Sequence, residues 1–372
     1  MFMELSWIIM GVFSMVTLIQ LIYYVVFFRR LAFYKEPSYE HSREQAVSVV
    51  ICARDEADNL ERNLPGVLVQ DYQTTHEVVL VDDNSQDDTR YLLEGLHRQF
   101  RQLHIVELKQ EAILIPGKKF PLSMGIKSAR HEIVLLTDAD CIPASDQWIR
   151  KMQQPFRDGV EIVLGYGAYH KRKGFFNKLI RFETFHSALQ YLSYALAGIP
   201  YMGVGRNLAY RRELFFRHKG FSSHNHIPGG DDDLFINMAA NSQNTRVVVD
   251  PDAHTLSKPQ RNFATWYRQK NRHYSTSKHY KGKHKFLLGL YSLTQFVFYP
   301  LLAFLLVYGD WKTALSIFGA RLLLQAILYY KVMQKLNEKD LFPLFLLFDI
   351  LQPFYLLLFA PAVIRQHKTS WK

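Results

Sequence analysis

The stretch EIVLLTDADC, residues 132–141, decides the fold. Glu132–Thr137 is short, nearly all apolar and rich in β-branched residues, as a strand buried on both faces must be. It closes on Asp138-Ala139-Asp140. Upstream, Ala46–Cys52 (AVSVVIC) repeats the pattern, and Glu77–Val81 (EVVLV) repeats it again before Asp82-Asp83-Asn84-Ser85. His104–Leu108 predicts a further strand, and Glu56–Leu68, Asp87–Gln99 and Lys119–Ala129 predict helices between the strands. Apolar runs alternating with helical stretches from Gln45 to Ser257 predict an α/β domain, a mostly parallel sheet with helices on both faces.

Two of these strands end in paired acids. In an open α/β sheet ligands bind outside the carboxyl ends of the strands, and a carboxylate there is costly to bury without a cation or donors. A single Asp after a strand is ordinarily a turn former or helix cap, which suffices for Asp87 and Asp88. Asp138 and Asp140 instead offer two hard oxygen ligands two residues apart, the kind that Mg²⁺ or Mn²⁺ shares with nucleotide phosphates. Further on, Gly229-Gly230 precedes Asp231-Asp232-Asp233 and a helix Leu234–Ala240. Helix capping accounts for one of the three carboxylates. Mutual repulsion in such a knot calls for a nearby cation or for raised pKa values, which suit a general base.

The two ends of the chain are of different material. Leu5–Phe28 is apolar throughout and long enough to cross a hydrocarbon core of ~30 Å as a helix. No charged segment precedes it and Arg29-Arg30 follows, which argues for an anchor instead of a signal peptide and for a cytoplasmic domain after it. Phe286–Tyr308, Trp311–Val332 and Leu341–Ile364 read as three more spans, the last interrupted by Asp349, Gln352 and Pro353 and therefore either spanning or re-entrant. The expected organisation is an anchor (1–30), an α/β domain (45–257), an interfacial segment (258–285), membrane helices (286–365) and a basic tail (366–372). A multi-pass protein of the cell's inner membrane is expected, with its catalytic domain in the cytoplasm. The net charge of +11 concentrates beside apolar runs, at Arg29, Arg30, Lys35, Lys278, Lys281, Lys283 and Lys285, which fits anionic headgroups and excludes nucleic acid as a partner. Cys52 and Cys141, the chain's two cysteines, lie in strand-like runs without metal-type spacing, as small thiols in a reducing compartment do.

The ordered segments VSVVICARDEADNL, EVVLVDDNSQDDT, PGKKFPLSMGIKSA, EIVLLTDADC, GVGRNLAYRR and GGDDDL resemble the family 2 glycosyltransferases of GT-A fold, and WYRQKNRH (266–273) resembles the Q-x-x-R-W segment of their membrane-embedded members. The resemblance implies a nucleotide-sugar donor, expected to be a UDP-sugar, held against Ala53, Arg54, Asp55, Glu56 and Asp83, with Lys118 or Lys119 on the nucleotide side. It implies Asp138 at the ribose or sugar, and Asp140, with Asp138, at a Mg²⁺ or Mn²⁺ ion. Asp231, or Asp232 if the register shifts by one, would be the base; Asp233, Gln269, Arg272 and His273 would face the diphosphate and the acceptor. Three departures stand out: Asp55 replaces an asparagine in a loop without the usual proline, Gly230 replaces a glutamate, and His273 replaces the tryptophan.

These readings converge on an inverting, metal-dependent hexosyltransferase acting on a lipid-linked or glycan acceptor at the membrane. A processive polysaccharide synthase, or a membrane-tethered nucleotide-sugar binding or transport component without catalysis, are the rivals. Gly174–Ala197 predicts a helix that packs in the core, in preference to one that sits at the membrane surface or shapes an acceptor groove. His254, beside Asp252, reads as an ordinary strand-end histidine in preference to a metal ligand.

Overall fold

The computed structural model describes residues 2–38, 44–109, 115, 117–157 and 159–364; the basic tail lies outside them. Helix α1 (Phe2–Tyr23) runs through a π-turn at Tyr24–Phe28 and a last turn at Arg29–Ala32. Then follow β1 (Val47–Ala53), α2 (Ala57–Leu68), β2 (His76–Asp83), α3 (Thr89–Gln99), β3 (Leu103–Leu108), α4 (Lys119–Ser128), β4 (Ile133–Asp138), β5 (Cys141–Pro143), α5 (Trp148–Gln153), β6 (Ile162–Leu164), β7 (Gly167–Tyr169) and the long α6 (Phe175–Leu196). The chain continues with β8 (Leu208–Arg211), α7 (Arg212–Arg217), α8 (Asp233–Ala239), β9 (Thr245–Val247), β10 (Thr255–Ser257) and α9 (Phe263–Tyr274), and closes with α10 (Gly282–Tyr308), α11 (Trp311–Lys335) and α12 (Phe345–Ile364).

Seven strands form one sheet in the order β3-β2-β1-β4-β8-β6-β9. The first four are parallel, as their continuously apolar sequences require. Strand β8 runs antiparallel to both β4 and β6, a reversal not expected from the sequence. A second sheet, β5-β10-β7, stands beside the carboxyl end of β4.

The sheet is buried on both faces, and alternation sorts its side chains. Val47, Val49 and Ile51 join Leu60, Leu64, Trp148 and Ile149 on one face. Val50, Val79, Val134 and Leu136 join the other, whose core runs on without a break into Tyr24, Phe28, Tyr291, Tyr329 and Met333 of the apolar helices. Helix α4 comes close because Gly125 carries no side chain; a Cβ there would stand 2.6 Å from Val50 Cγ1. Helix α6 is the intermediary. It packs on the π-turn below and on β7 and β9 above, the core-packing alternative of the two readings.

Among the described residues, four helices are long and apolar enough to cross a membrane: Glu4–Ala32, Gly282–Tyr308, Trp311–Lys335 and Lys339–Val363. Asp349, Gln352 and Pro353 lie inside one continuous helix, α12. The polar side chains of this bundle bind one another. Arg321, fully buried, donates to Gln20 Oε1 at 2.6 Å, to Gln325 Oε1 at 2.9 Å and to Asp349 Oδ2 at 2.6 Å. Gln325 donates to Asp349 Oδ1 at 2.7 Å and Tyr299 donates to Asp349 Oδ2 at 2.5 Å. All four helices meet at this ion pair. Outside the bundle, Arg181 of α6 donates to Glu338 Oε2 at 3.0 Å and Asp340 Oδ2 at 2.8 Å between α11 and α12, fastening the α/β domain to the helices.

An isolated charge in such an interior costs several kcal/mol, so removing one partner is worse than removing both. Arg321→Ala and Asp349→Ala should each destabilise the detergent-solubilised protein by about 3–5 kcal/mol, read as a fall in melting temperature and loss of the monodisperse peak. Arg321→Met with Asp349→Leu should recover most of that loss; single variants as stable as the parent would contradict the assignment.

Candidate active site

The carboxyl ends of β1, β2 and β4 open on one cleft. Ala53 ends β1 opposite Asp82 of β2. The loops beyond are clamped together: Asp55, in the left-handed region at φ 55°, accepts from Gln86 N–H at 2.7 Å, and its own N–H donates to Ser85 Oγ at 3.0 Å. Asp87 accepts from Ala57 N–H at 3.0 Å and Thr89 N–H at 3.0 Å, the capping role expected of it. Glu56 accepts from Asn59 Nδ2 at 2.5 Å. Asp83 is buried and accepts from Asn84 at 3.3 Å. Arg54 lies on the same loop as Asp55, so the residues expected at the nucleoside occupy two interlocked loops.

Asp138 ends β4, and Lys118 at the start of α4 donates to its Oδ1 at 2.7 Å. The same ammonium stands 3.3 Å from Asp231 Oδ2. Lys118 therefore bridges the two acidic clusters. Burial works against its charge, but Asp138, Asp231 and Asp232 outweigh it and hold the lysine protonated far above its ordinary range. Against the same burial, Lys118 holds Asp138 below the usual carboxylate range. The adjacent Lys119 points the other way: it is buried, and its ammonium donates to His224 O at 2.7 Å and Ile227 O at 2.5 Å, bracing the loop ahead of the knot. Of the two lysines, Lys118 faces the cleft.

Asp140 accepts from Ser257 Oγ of β10 at 3.0 Å, so the second sheet orients this carboxylate. Its carboxyl is pushed up by burial and by Asp138. Ligand atoms of Asp138, Asp140 and Cys141 lie within 4.8 Å of one another. Burial and Asp140 keep the Cys141 thiol protonated, which leaves two carboxylates, a hard donor set that fits Mg²⁺ or Mn²⁺. His254 is not among them; it is buried with Nε2 3.1 Å from Val249 O.

The knot divides its labour. Asp232 caps α8, accepting from Asp233 N–H at 2.7 Å and Gly205 N–H at 2.7 Å, and its carboxyl is pushed up to about 7 by burial and by Asp231 and Asp233. Asp233, expected at the diphosphate and acceptor, commits its carboxylate to the Thr276 hydroxyl and to Tyr280 OH at 2.7 Å. Asp231 is buried, and its Oδ2 has no hydrogen-bond partner among the described residues; the Lys118 ammonium stands 3.3 Å from it.

Helix α9 brings Gln269, Arg272 and His273 to the same side. The Gln269 Oε1 is buried without a hydrogen-bond partner among the described residues. The positive charge of Arg272 helps to hold Asp138 ionised. The His273 side chain is exposed, and its imidazole is held neutral by partial loss of water and by the positive charges of Lys270 and Arg272, with Arg206 and Lys118 also near enough to be felt. One residue had no role assigned from sequence. Arg206, within GVGRNL, lies 4.4 Å over the Tyr169 ring and donates to Gly167 O at 2.6 Å, and its charge favours the ionised forms of Asp138 and Asp140. A Cβ on Gly167 would stand 2.4 Å from its Nε. Its signal was a cation just after two glycines, too common a pattern to read alone.

Residues 44–276 match the family model described as "Glycosyltransferase like family 2". The chain is 32% identical over 130 residues to an uncharacterised glycosyltransferase of Synechocystis sp., covering 34% of this chain and 39% of that protein. It is 30% identical over 123 residues to the glycosyltransferase AglE of Haloferax volcanii, covering 32% and 36%. Against the poly-β-1,6-N-acetyl-D-glucosamine synthase of Staphylococcus aureus it is 26% identical over 117 residues, covering 32% and 27%. The matches thus span well under half of each relative's length. Among solved structures it shares its fold, at a TM-score of 0.59 and 20% identity over 94% of this chain and 99% of the other, with a mannosyltransferase of Pyrobaculum calidifontis determined with GDP-mannose and Mn²⁺. The match to the family model takes in most of the chain and the whole of the cleft just described, and the chain belongs to glycosyltransferase family 2.

Proposed function

We propose that the protein transfers a single sugar, or a few, from a nucleotide-sugar to a membrane-held acceptor at the cytoplasmic face of a membrane, with inversion at the anomeric carbon. The observation that carries this reading is Lys118, whose one ammonium stands between Asp138 on the donor side and Asp231 on the acceptor side.

The interlocked loops at Ala53–Glu56 and Asp83 would hold the nucleoside, a UDP group in the first instance. Asp138 and Asp140 would hold a Mg²⁺ or Mn²⁺ ion, which supplies charge to offset the negative diphosphate leaving group. Lys118 and Arg206 add fixed positive charge in the same cleft, and Gln269, Arg272 and His273 would line the side where diphosphate and acceptor meet. Asp231 is the base of choice because it is not spent on the backbone as Asp232 is. As the acceptor oxygen bonds to the anomeric carbon and the carbon–phosphate oxygen bond breaks, Asp231 takes the acceptor's proton. A single displacement by one base inverts the centre, and no second nucleophile is required.

The orientation rests on charge: Arg29, Arg30, Lys35, Lys331, Lys335 and Lys339 all lie at the helix ends nearest the α/β domain, the arrangement of a cytoplasmic face. Single transfer is favoured over processive synthesis because Arg321, Gln325 and Asp349 satisfy one another in the bundle and do not line a conduit for a polymer.

A panel of nucleotide-sugars offered to the purified full chain with membrane lipid, read by nucleoside diphosphate release, tests the reaction class. No release from any donor would favour a binding component without catalysis. With the active donor, EDTA and Asp140→Ala should each reduce turnover by at least ~10²-fold while the melting curve stays cooperative; undiminished activity in both would remove the metal from the reading.

Asp231→Asn should lower kcat by at least ~10²-fold with the donor's Kd nearly unchanged. A larger loss in Asp232→Asn would move the base by one residue.

A charged neighbour makes a base a better proton acceptor. Asp232, raised to about 7 by burial and its neighbours, gains that charge beside the base as pH rises, so kcat should climb through about 7 and level off above it. Asp232→Asn removes the titrating neighbour and should abolish the rise near 7. A flat profile between about pH 5.5 and 8 would contradict the assignment.

A further inference from the structure

Where α1 leaves the apolar bundle its helix widens into the π-turn at Tyr24–Phe28. A π-turn inserts one residue and swings everything beyond it around the axis. Tyr24, Phe27, Phe28 and Leu31 are thereby buried in the core, while Val25, Val26, Arg29, Arg30 and Phe33 stay outside. Together with Tyr34, Lys35 and Leu196 at the end of α6, the outward residues enclose an open cleft of about 700 Å³.

The cleft has two kinds of wall. Val25, Val26 and Phe33 are 47%, 42% and 55% exposed, an apolar strip at the end of a span. Beside it lies positive charge that forms no ion pair among the described residues. Arg30 donates only to backbone carbonyls, Val26 O at 3.0 Å and Leu196 O at 3.4 Å, and neither arginine pairs with a carboxylate among the described residues. Lys331 stands 4.8 Å over the Phe33 ring and Lys335 donates to Tyr34 O at 2.7 Å, again on neutral partners. The nearby acid, Glu36, is turned away and accepts from Val249 and Asp250 N–H.

We propose that this cleft binds one anionic phospholipid, with its phosphate against Arg29, Arg30 and Lys35 and an acyl chain along Val25, Val26 and Phe33. A zwitterionic headgroup would add a cation to a surface already rich in them, and inorganic phosphate would leave the apolar strip uncovered. The proposal depends on the membrane reading of α1 and not on which sugar is transferred.

Native mass spectrometry of the delipidated full chain in detergent, titrated separately with phosphatidylglycerol, phosphatidylcholine and inorganic phosphate, tests it. We expect one retained phosphatidylglycerol per chain, bound at least ~10-fold more tightly than phosphatidylcholine, and no displacement by millimolar phosphate. Arg29→Gln with Arg30→Gln and Lys35→Gln should abolish the preference, while Lys278→Gln with Lys283→Gln and Lys285→Gln should keep it. Equal retention of both lipids, complete displacement by phosphate, or loss in the second variant but not the first would overturn the proposal. Independently of any variant, the parent's melting temperature should rise more with phosphatidylglycerol than with phosphatidylcholine at about 0.1 M salt and lose most of that difference at about 0.5 M; a salt-independent difference would also overturn it.

Discussion

The Lys118 ammonium is the charge on which the cleft depends. Asp138, Asp140, Asp231, Asp232 and Asp233 all converge there, and carboxylates taken from water repel one another strongly in a low dielectric. Lys118 touches one cluster at 2.7 Å and the other at 3.3 Å, and the remaining strain appears in Asp140 and Asp232, whose carboxyls are pushed upward. A cleft in this condition is poised to receive positive charge on its β4 side and to take up a proton on its α8 side. Those are the two demands of displacing a diphosphate with an alcohol.

Positioning reaches the cleft from the apolar helices through packing. Helix α6 shares a core with both the sheet and the apolar helices. Its Glu183, buried, pairs with Lys270 of α9, and α9 leans on α12 through Tyr274 and Tyr355, 2.9 Å apart, and through Trp266 against Phe359. Thr276 and Tyr280, on the link from α9 to α10, hold Asp233 in the knot. The helix carrying Gln269 and Arg272 is thus gripped between the α/β domain and the last apolar helix, so the cleft's shape is set by both.

Much of this was legible because burial on both faces leaves a plain mark. The strands β1, β2 and β4 announce themselves by unbroken apolar runs, and their terminal acids stand where the sheet must open. The same cannot be said of β5, β6, β7, β9 and β10, three residues each, too short to establish a period. The reversal of β8 was hidden for a related reason: it has only four residues, and one of its two neighbours, β6, is one of those short strands. Lys118 and Lys119 are adjacent on a helix, so they diverge by roughly 100°; pattern alone could not say which faces the cleft. The same holds for Asp231 and Asp232, separated only by the backbone N–H groups that Asp232 captures. Arg206 depends on Gly167 being empty, 39 positions away, a long-range fact with no local trace.

The bond between Gln20 and Arg321 joins residues 301 positions apart. At a synthesis rate of about 5–20 residues per second, the first helix waits roughly 15–60 s for that partner. Through this interval Gln20 sits in the anchor without the guanidinium, and Tyr24, Phe27 and Phe28 lack the later helices that cover them. The first helix is therefore a provisional structure, completed only when α11 arrives. A chain that stalls before residue 321 is left with that polar side chain unfinished on an otherwise apolar helix.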